Sequence, residues 1–291
     1  MVTSLPVDHQ GSYVHVCGMP VLDSTMNPVL FVHDMHQQSD ELHHVLSMFF
    51  ERGCSSYMYD LRGHGRSGNL LGHINRFEDH VTDLLQVMSW VKHAELRRTP
   101  ILVGYGLGAL VVTEFVRKFG SMAESVVLIG PLNEIKNPPH ILYKIFLKVM
   151  ADFWPTFRLQ NPLFPNMIPI RYDHAYTAKY LHEIFLAIER FEGKFIEYSG
   201  DILLVCPEQD QLSSYHQLRK SVAFYRDQNL LHMDLRSDHF VFDAKSPHLP
   251  QIMEVILDWV RKHSVKDKIL SELPGISRKK DVKLSIAVDS A

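Results

Sequence analysis

The sequence predicts an α/β protein: a mostly parallel central sheet flanked by helices on both faces. Two observations lead there. Short, near-continuously apolar runs alternate with stretches of helical period, the pattern of fully covered strands and their crossover helices. One long interval, 131–199, breaks that alternation with helical pieces alone, as an insertion into a regular fold does.

Taken in order, SYVHV and MPVLD near the N-terminus suit an antiparallel edge. PVLFVHD (28–34) reads as a buried strand. SDELHHVLSMFFERG (39–53) follows as a helix, with Ser39 or Asp40 suited to cap it and Gly53 to stop it. SSYMYDL (55–61) is the next strand, and EDHVTDLLQVMSWVKH (78–93) is a helix with its apolar residues on one face. PILVGY (100–105) is a strand running into the helix LGALVVTEFVRKFG (107–120). SVVLIG (125–130), DILLVCP (201–207) and LLHMDL (230–235) complete the strands. QLRKSVAFY (217–225) and PQIMEVILDWVRKH (250–263) are helical. The resulting division is core 1–130, helical cap 131–199, core 200–265 and a charged C-terminal tail 266–291. Open α/β sheets bind ligands at their C-terminal edge, and the cap is expected to lie over that edge.

Composition narrows the function classes. Hydrophobic residues make up 46% and charged residues 22% of the 291, enough for a substantial buried core. A formal net charge of −3 gives no footprint for nucleic acid. Three unpatterned cysteines, Cys17, Cys54 and Cys206, do not make a disulfide framework and suit a reducing compartment. The N-terminus lacks a basic start followed by an apolar run, and no apolar stretch reaches the ~18 residues of a spanning helix. A cytoplasmic location is expected. Eighteen histidines include the pairs His33/His36 and His43/His44, but no Cys/His module or HExxH helix is present. No metal or cofactor is expected.

The most informative segment is Gly104-Tyr105-Gly106-Leu107-Gly108, where a strand passes directly into a helix. This is the shape of the G-x-S-x-G nucleophile elbow, with Gly106 where the nucleophile would stand. Glycine tolerates that strained backbone at little cost but has no side chain to project. A dinucleotide-type phosphate loop is the competing reading. It needs a glycine at 111, which is Val111, and belongs on the first βα unit. Further along, Asp210 follows the strand DILLVC and His239 follows LLHMDL. The order nucleophile, acid, base is that of serine hydrolases on α/β sheets, in which the acid orients the imidazole. Glu208 and Asp238 are the neighbouring alternatives.

Residues 28–68, and YDLRGHGRSG (59–68) above all, resemble the monoacylglycerol lipase and lysophospholipase branch of the α/β-hydrolases, also named for serine aminopeptidase S33. The resemblance runs over roughly 28–265. It implies an α/β-hydrolase fold with an eight-stranded sheet, a Ser-Asp-His ester-hydrolase triad and an apolar acyl channel under the cap. Carried over, Gly106 takes the serine's place, Asp210 the acid's and His239 the base's. The oxyanion donors would be the backbone N–H groups of Met35 and Leu107. Phe146, Phe153, Trp154, Phe157, Phe164 and Met167 either line an acyl pocket, touch a membrane surface or simply pack the cap. Two departures stand out. The serine is absent, and the family's His-Gly is His33-Asp34, which puts a carboxylate near where negative charge would develop.

Three functions fit these residues. The chain is a pseudo-hydrolase that binds a lipid-like acyl ester or fatty acid, with peripheral membrane contact through the cap. Alternatively it is an inactivated variant of a serine esterase or lipase. In the third reading it is a weak hydrolase whose water is activated by His239.

Overall fold

The structure is a computed structural model that describes residues 1–7, 11–68, 70–132, 135–160, 175–191, 198–216 and 230–264. Eight strands form one sheet: β1 Val2–Pro6, β2 Tyr13–Met19, β3 Val29–Val32, β4 Ser56–Tyr59, β5 Ile101–Tyr105, β6 Ser125–Ile129, β9 Asp201–Pro207 and β10 Leu230–Leu235. Their order is β1-β2-β4-β3-β5-β6-β9-β10. β1 and β2 are antiparallel to each other, and β2 to β4; the rest are parallel. The N-terminal edge is therefore antiparallel as expected, but its strands are β1 and β2. After Met19 the chain turns away, so MPVLD forms no strand.

Helices cover both faces. On one lie α2 (Glu78–Ala94) and α3 (Leu107–Phe119); on the other lie α1 (His43–Glu51) and α6 (Leu249–Lys262). The strands supply both layers by alternation. In β3, Leu30 and Val32 join the α2/α3 side while Val29 and Phe31 join the α1/α6 side. All four are fully buried, each worth about 1.5–3 kcal/mol of apolar burial.

Two expectations need correction. The first helix begins at His43 without a side-chain cap, and neither Ser39 nor Asp40 caps it. The Ser39 backbone N–H donates to Asp60 Oδ1 (2.6 Å). The interval between β6 and β9 is also not purely helical. It holds α4 (Ile141–Phe153), the antiparallel pair β7 (Arg158–Gln160) and β8 (Ala175–Thr177), and α5 (Ala178–Phe191). The expected helix 217–225, the residues Phe164 and Met167 and the tail 266–291 lie outside the described residues.

Register positions the site. Val32 pairs with Gly104 and Gly104 with Leu128. The chain segments leaving β3, β5 and β6 therefore emerge side by side at the C-terminal edge, where those leaving β9 and β10 join them.

Candidate functional site

The turn after β5 is built for close approach. Gly106 has φ +55° and ψ −114°, a conformation that strains any side chain. Its flanking glycines let the helix sit against the strands. A Cβ on Gly108 would lie 2.0 Å from the Val32 carbonyl oxygen, and one on Gly104 2.7 Å from Ala109 Cα.

The space above Gly106 is filled by Asp34. A Cβ on Gly106 would lie 2.0 Å from Asp34 Oδ1 and 2.2 Å from its Cγ. The carboxylate is fully buried and held from two sides. Leu107 donates its backbone N–H to Oδ1 (2.6 Å), and His239 Nε2 donates to Oδ2 (2.9 Å). His36 Nε2 stands 3.7 Å from Oδ2. The Leu107 N–H, one of the two donors expected for an oxyanion, is thus engaged by a permanent anion from the chain itself.

His239 is equally enclosed. Its Nδ1 donates to Asp210 Oδ2 (2.7 Å), so the ring bridges two carboxylates. Both nitrogens face carboxylate oxygens, an arrangement that the doubly protonated imidazolium satisfies by donating at each. Burial by itself pushes this histidine's pKa down, but the charges and hydrogen bonds of Asp210 and Asp34 reverse that and push it up to about 10. Burial likewise opposes ionisation of Asp34. The hydrogen bond from His239, the charges of His36 and His239 and the Leu107 N–H outweigh it and hold the carboxyl well below the usual range. Asp210 is lowered as well: against its burial stand the His239 charge and bonds from His239, Ser213 and Leu212.

Surrounding groups fix this arrangement. Asp210 Oδ1 accepts the backbone N–H groups of Leu212 (2.7 Å) and Ser213 (3.1 Å), and Oδ2 accepts the Ser213 hydroxyl (2.5 Å). Tyr105 points away from the turn and stacks beneath His239, ring centroids 5.2 Å apart. Its hydroxyl donates to the His239 carbonyl (2.5 Å). The carbonyl of Met35 accepts from Tyr176 Oη (2.5 Å) on β8 and from His64 Nε2, tying the Asp34 loop to the segment above the sheet. His33 accepts the Leu61 N–H at Nε2 (2.9 Å) and donates from Nδ1 to the Asp34 carbonyl (2.7 Å), so it is the neutral Nδ1–H tautomer.

The structure therefore brings Gly106, Leu107, Asp210 and His239 together and places the Met35 backbone beside them. Of the neighbouring acids, Asp238 caps the Phe240 N–H (3.0 Å) and Glu208 is exposed. Phe146 and Phe153 stand on α4, and Trp154 and Phe157 in the segment that follows it. Phe153 and Trp154 are 85% and 62% exposed, and Phe146 and Phe157 are partly so. They do not form the cap's packed centre, to which α4 contributes Leu147 and Ala151. Sequence reasoning noticed Asp34 only as a departure from a motif. It did not foresee that the carboxylate would fill the glycine's missing side-chain space, nor the roles of His36, Tyr105 and Ser213. The signal available in the sequence was the acid at 34 taken together with the glycine at 106.

His36 also lines a cleft of about 750 Å³, with His44, Asp238, Phe240 and Lys245. Among the described residues no group of three His, Cys, Asp or Glu is arranged to hold a metal ion. No described helix is long and apolar enough to cross a membrane.

An eight-stranded, mostly parallel sheet with a strand–glycine turn–helix and an Asp–His pair at its C-terminal edge defines the α/β-hydrolase class. The chain belongs to the family described as serine aminopeptidase, S33, which matches residues 24–232. Among curated relatives, it is 23% identical over 168 residues to the monoacylglycerol lipase of Mycolicibacterium smegmatis, covering 55% of this chain and 59% of that one. It is 30% identical over 115 residues to lysophospholipase L2 of Escherichia coli, covering 38% and 34%. The chain thus spans about three-fifths and one-third of the length of these relatives. Among solved structures, the monoacylglycerol lipase of Paleococcus ferrophilus superposes with a TM-score of 0.70 at 20% identity, over 87% of this chain and 99% of that one. A soluble variant of the Saccharomyces cerevisiae monoglyceride lipase, in complex with a substrate analog, gives 0.70 at 15% identity over 91% and 95%.

Proposed function

We propose that this chain is a ligand-binding pseudo-hydrolase: a lipase-like scaffold that takes a lipid-like acyl compound and does not cleave esters through a serine nucleophile. The observation that carries the reading is the pairing of Gly106 with Asp34, a nucleophile position without a side chain whose space is taken by a fixed carboxylate. Covalent catalysis needs a nucleophile within reach of a base that can accept its proton. Here Nε2 of His239 faces the Asp34 carboxylate at 2.9 Å, and in the imidazolium that this pairing favours no lone pair remains on the ring. The same protonation speaks against water activation by His239. The Leu107 N–H is already engaged, which removes one stabilising donor for a developing oxyanion.

A lipid-like ligand is supported by the relatives, named as a monoacylglycerol lipase and a lysophospholipase, and by the exposed apolar face of the cap. Ile141, Leu142, Ile145, Phe146, Val149 and Phe153 are all exposed on α4, suited to a lipid surface. The test is turnover of monoacylglycerols, lysophospholipids and p-nitrophenyl esters by the unaltered chain, with a fluorophosphonate label as a second readout. The expected result is neither turnover nor labelling. Turnover that disappears in His239→Ala would defeat the proposal.

A further inference from the structure

We propose that Asp34 is a built-in carboxylate ligand of the Leu107 N–H and the His239 ring, so that the unaltered chain closes this seat to anionic head groups. The inference rests on the binding-protein reading above and names which ligands that site refuses.

The contacts are those of a bound acid, made from within the space a side chain at 106 would take, since a Cβ there would lie 2.0 Å from Oδ1. When an ester is cleaved on such a scaffold, the acid leaves with its former carbonyl oxygen on the oxyanion donors and its second oxygen facing the base. Asp34 reproduces both contacts within one carboxylate: Oδ1 on the Leu107 N–H at 2.6 Å and Oδ2 on His239 Nε2 at 2.9 Å. The seat is therefore a carboxylate receptor with a backbone donor, an imidazolium and, 3.7 Å away, His36. The tethered group is bound without the loss of translational and rotational freedom that a free acid incurs. Asp34, Asp210 and the His239 imidazolium together carry one net negative charge, so a second carboxylate is also repelled.

Removing the side chain should vacate the receptor. Asp34→Ala and the unaltered chain are titrated with sodium acetate and sodium decanoate at pH 7 and constant ionic strength, read by melting temperature and calorimetry. The expected result is a saturable rise in Tm and measurable binding for Asp34→Ala, with neither in the unaltered chain nor in Asp34→Ala/His239→Ala. Binding equal in the unaltered chain and in Asp34→Ala, or in neither, overturns the proposal. Asp34→Asn covers the case in which the alanine variant fails to fold. Its amide keeps the seat filled but uncharged, so acetate is still refused, while the His239 ring titrates at lower pH than in the unaltered chain. An unchanged ring titration overturns the proposal. Failure here leaves the absence of turnover untouched, whereas turnover by the unaltered chain defeats the functional reading whatever acetate does.

Discussion

Placing a serine at 106 alone should destabilise this protein rather than activate it. In Gly106→Ser the new Cβ arrives 2.0 Å from Asp34 Oδ1, so the carboxylate must leave. Leaving breaks its bonds to the Leu107 N–H and to His239. Hydrogen bonds involving a charged group are worth about 1.5–3 kcal/mol each, and a side chain at φ +55° adds about 1–3 kcal/mol of strain. The combined cost of about 4–9 kcal/mol is comparable with the whole stability of an ordinary domain, about 5–15 kcal/mol. Adding Asp34→Gly removes the clash, so the two substitutions should be strongly non-additive. A double-mutant cycle by urea unfolding should give a coupling of more than about 2 kcal/mol in favour of the pair. Only Asp34→Gly/Gly106→Ser should label with a fluorophosphonate. A Gly106→Ser variant as stable as the unaltered chain, or one that labels with Asp34 still present, would refute the reasoning.

Stability should also follow pH in a defined way. His239 is raised from 6.5 to about 10, so its contribution is complete below pH 6.5 and is lost as pH rises through about 10, at up to about 1.4 kcal/mol per pH unit. Asp34 and Asp210 are lowered from 3.8, so theirs is complete above that value and fades in acid; urea midpoints across pH 3–10 should show the plateau between. Tyr105→Phe keeps the stacking but loses the hydrogen bond to the His239 carbonyl, which retains the Val241 N–H (2.9 Å). It should cost about 0.5–1.5 kcal/mol in urea unfolding, with no such loss if the hydroxyl is immaterial. Phe153→Asp with Trp154→Asp, both exposed, should leave the melting temperature within a few degrees while weakening sedimentation with neutral phosphatidylcholine vesicles at least tenfold; equal sedimentation would remove the cap from lipid contact.

The sheet was legible because β3, β5, β6 and β9 are runs of apolar residues that only a doubly covered strand accommodates. The glycine turn was legible from spacing. The β7–β8 pair was not: three residues in each strand carry too little periodicity to announce themselves. The start of α1 was misplaced because the helix begins at His43, after Leu42, with no side-chain cap to mark it. Asp34 was visible as an oddity but not as an occupant, since 72 positions separate it from Gly106. What joins them is register: Val32 pairs with Gly104, and two residues further along each strand stand 34 and 106. Strand order and pairing are tertiary facts, and the glycine and the carboxylate become one feature only after they are known.

That feature makes a claim about protons that can be read directly. Nitrogen-15 NMR of the His239 ring in the unaltered chain at pH 8 reports whether each nitrogen carries hydrogen. With Asp34 seated between Leu107 and His239, both ring nitrogens should be protonated a pH unit and a half above the ordinary histidine value. A neutral ring with a bare Nε2 at pH 8 would mean that Asp34 does not hold the imidazolium, and the account of a self-occupied hydrolase site would be wrong.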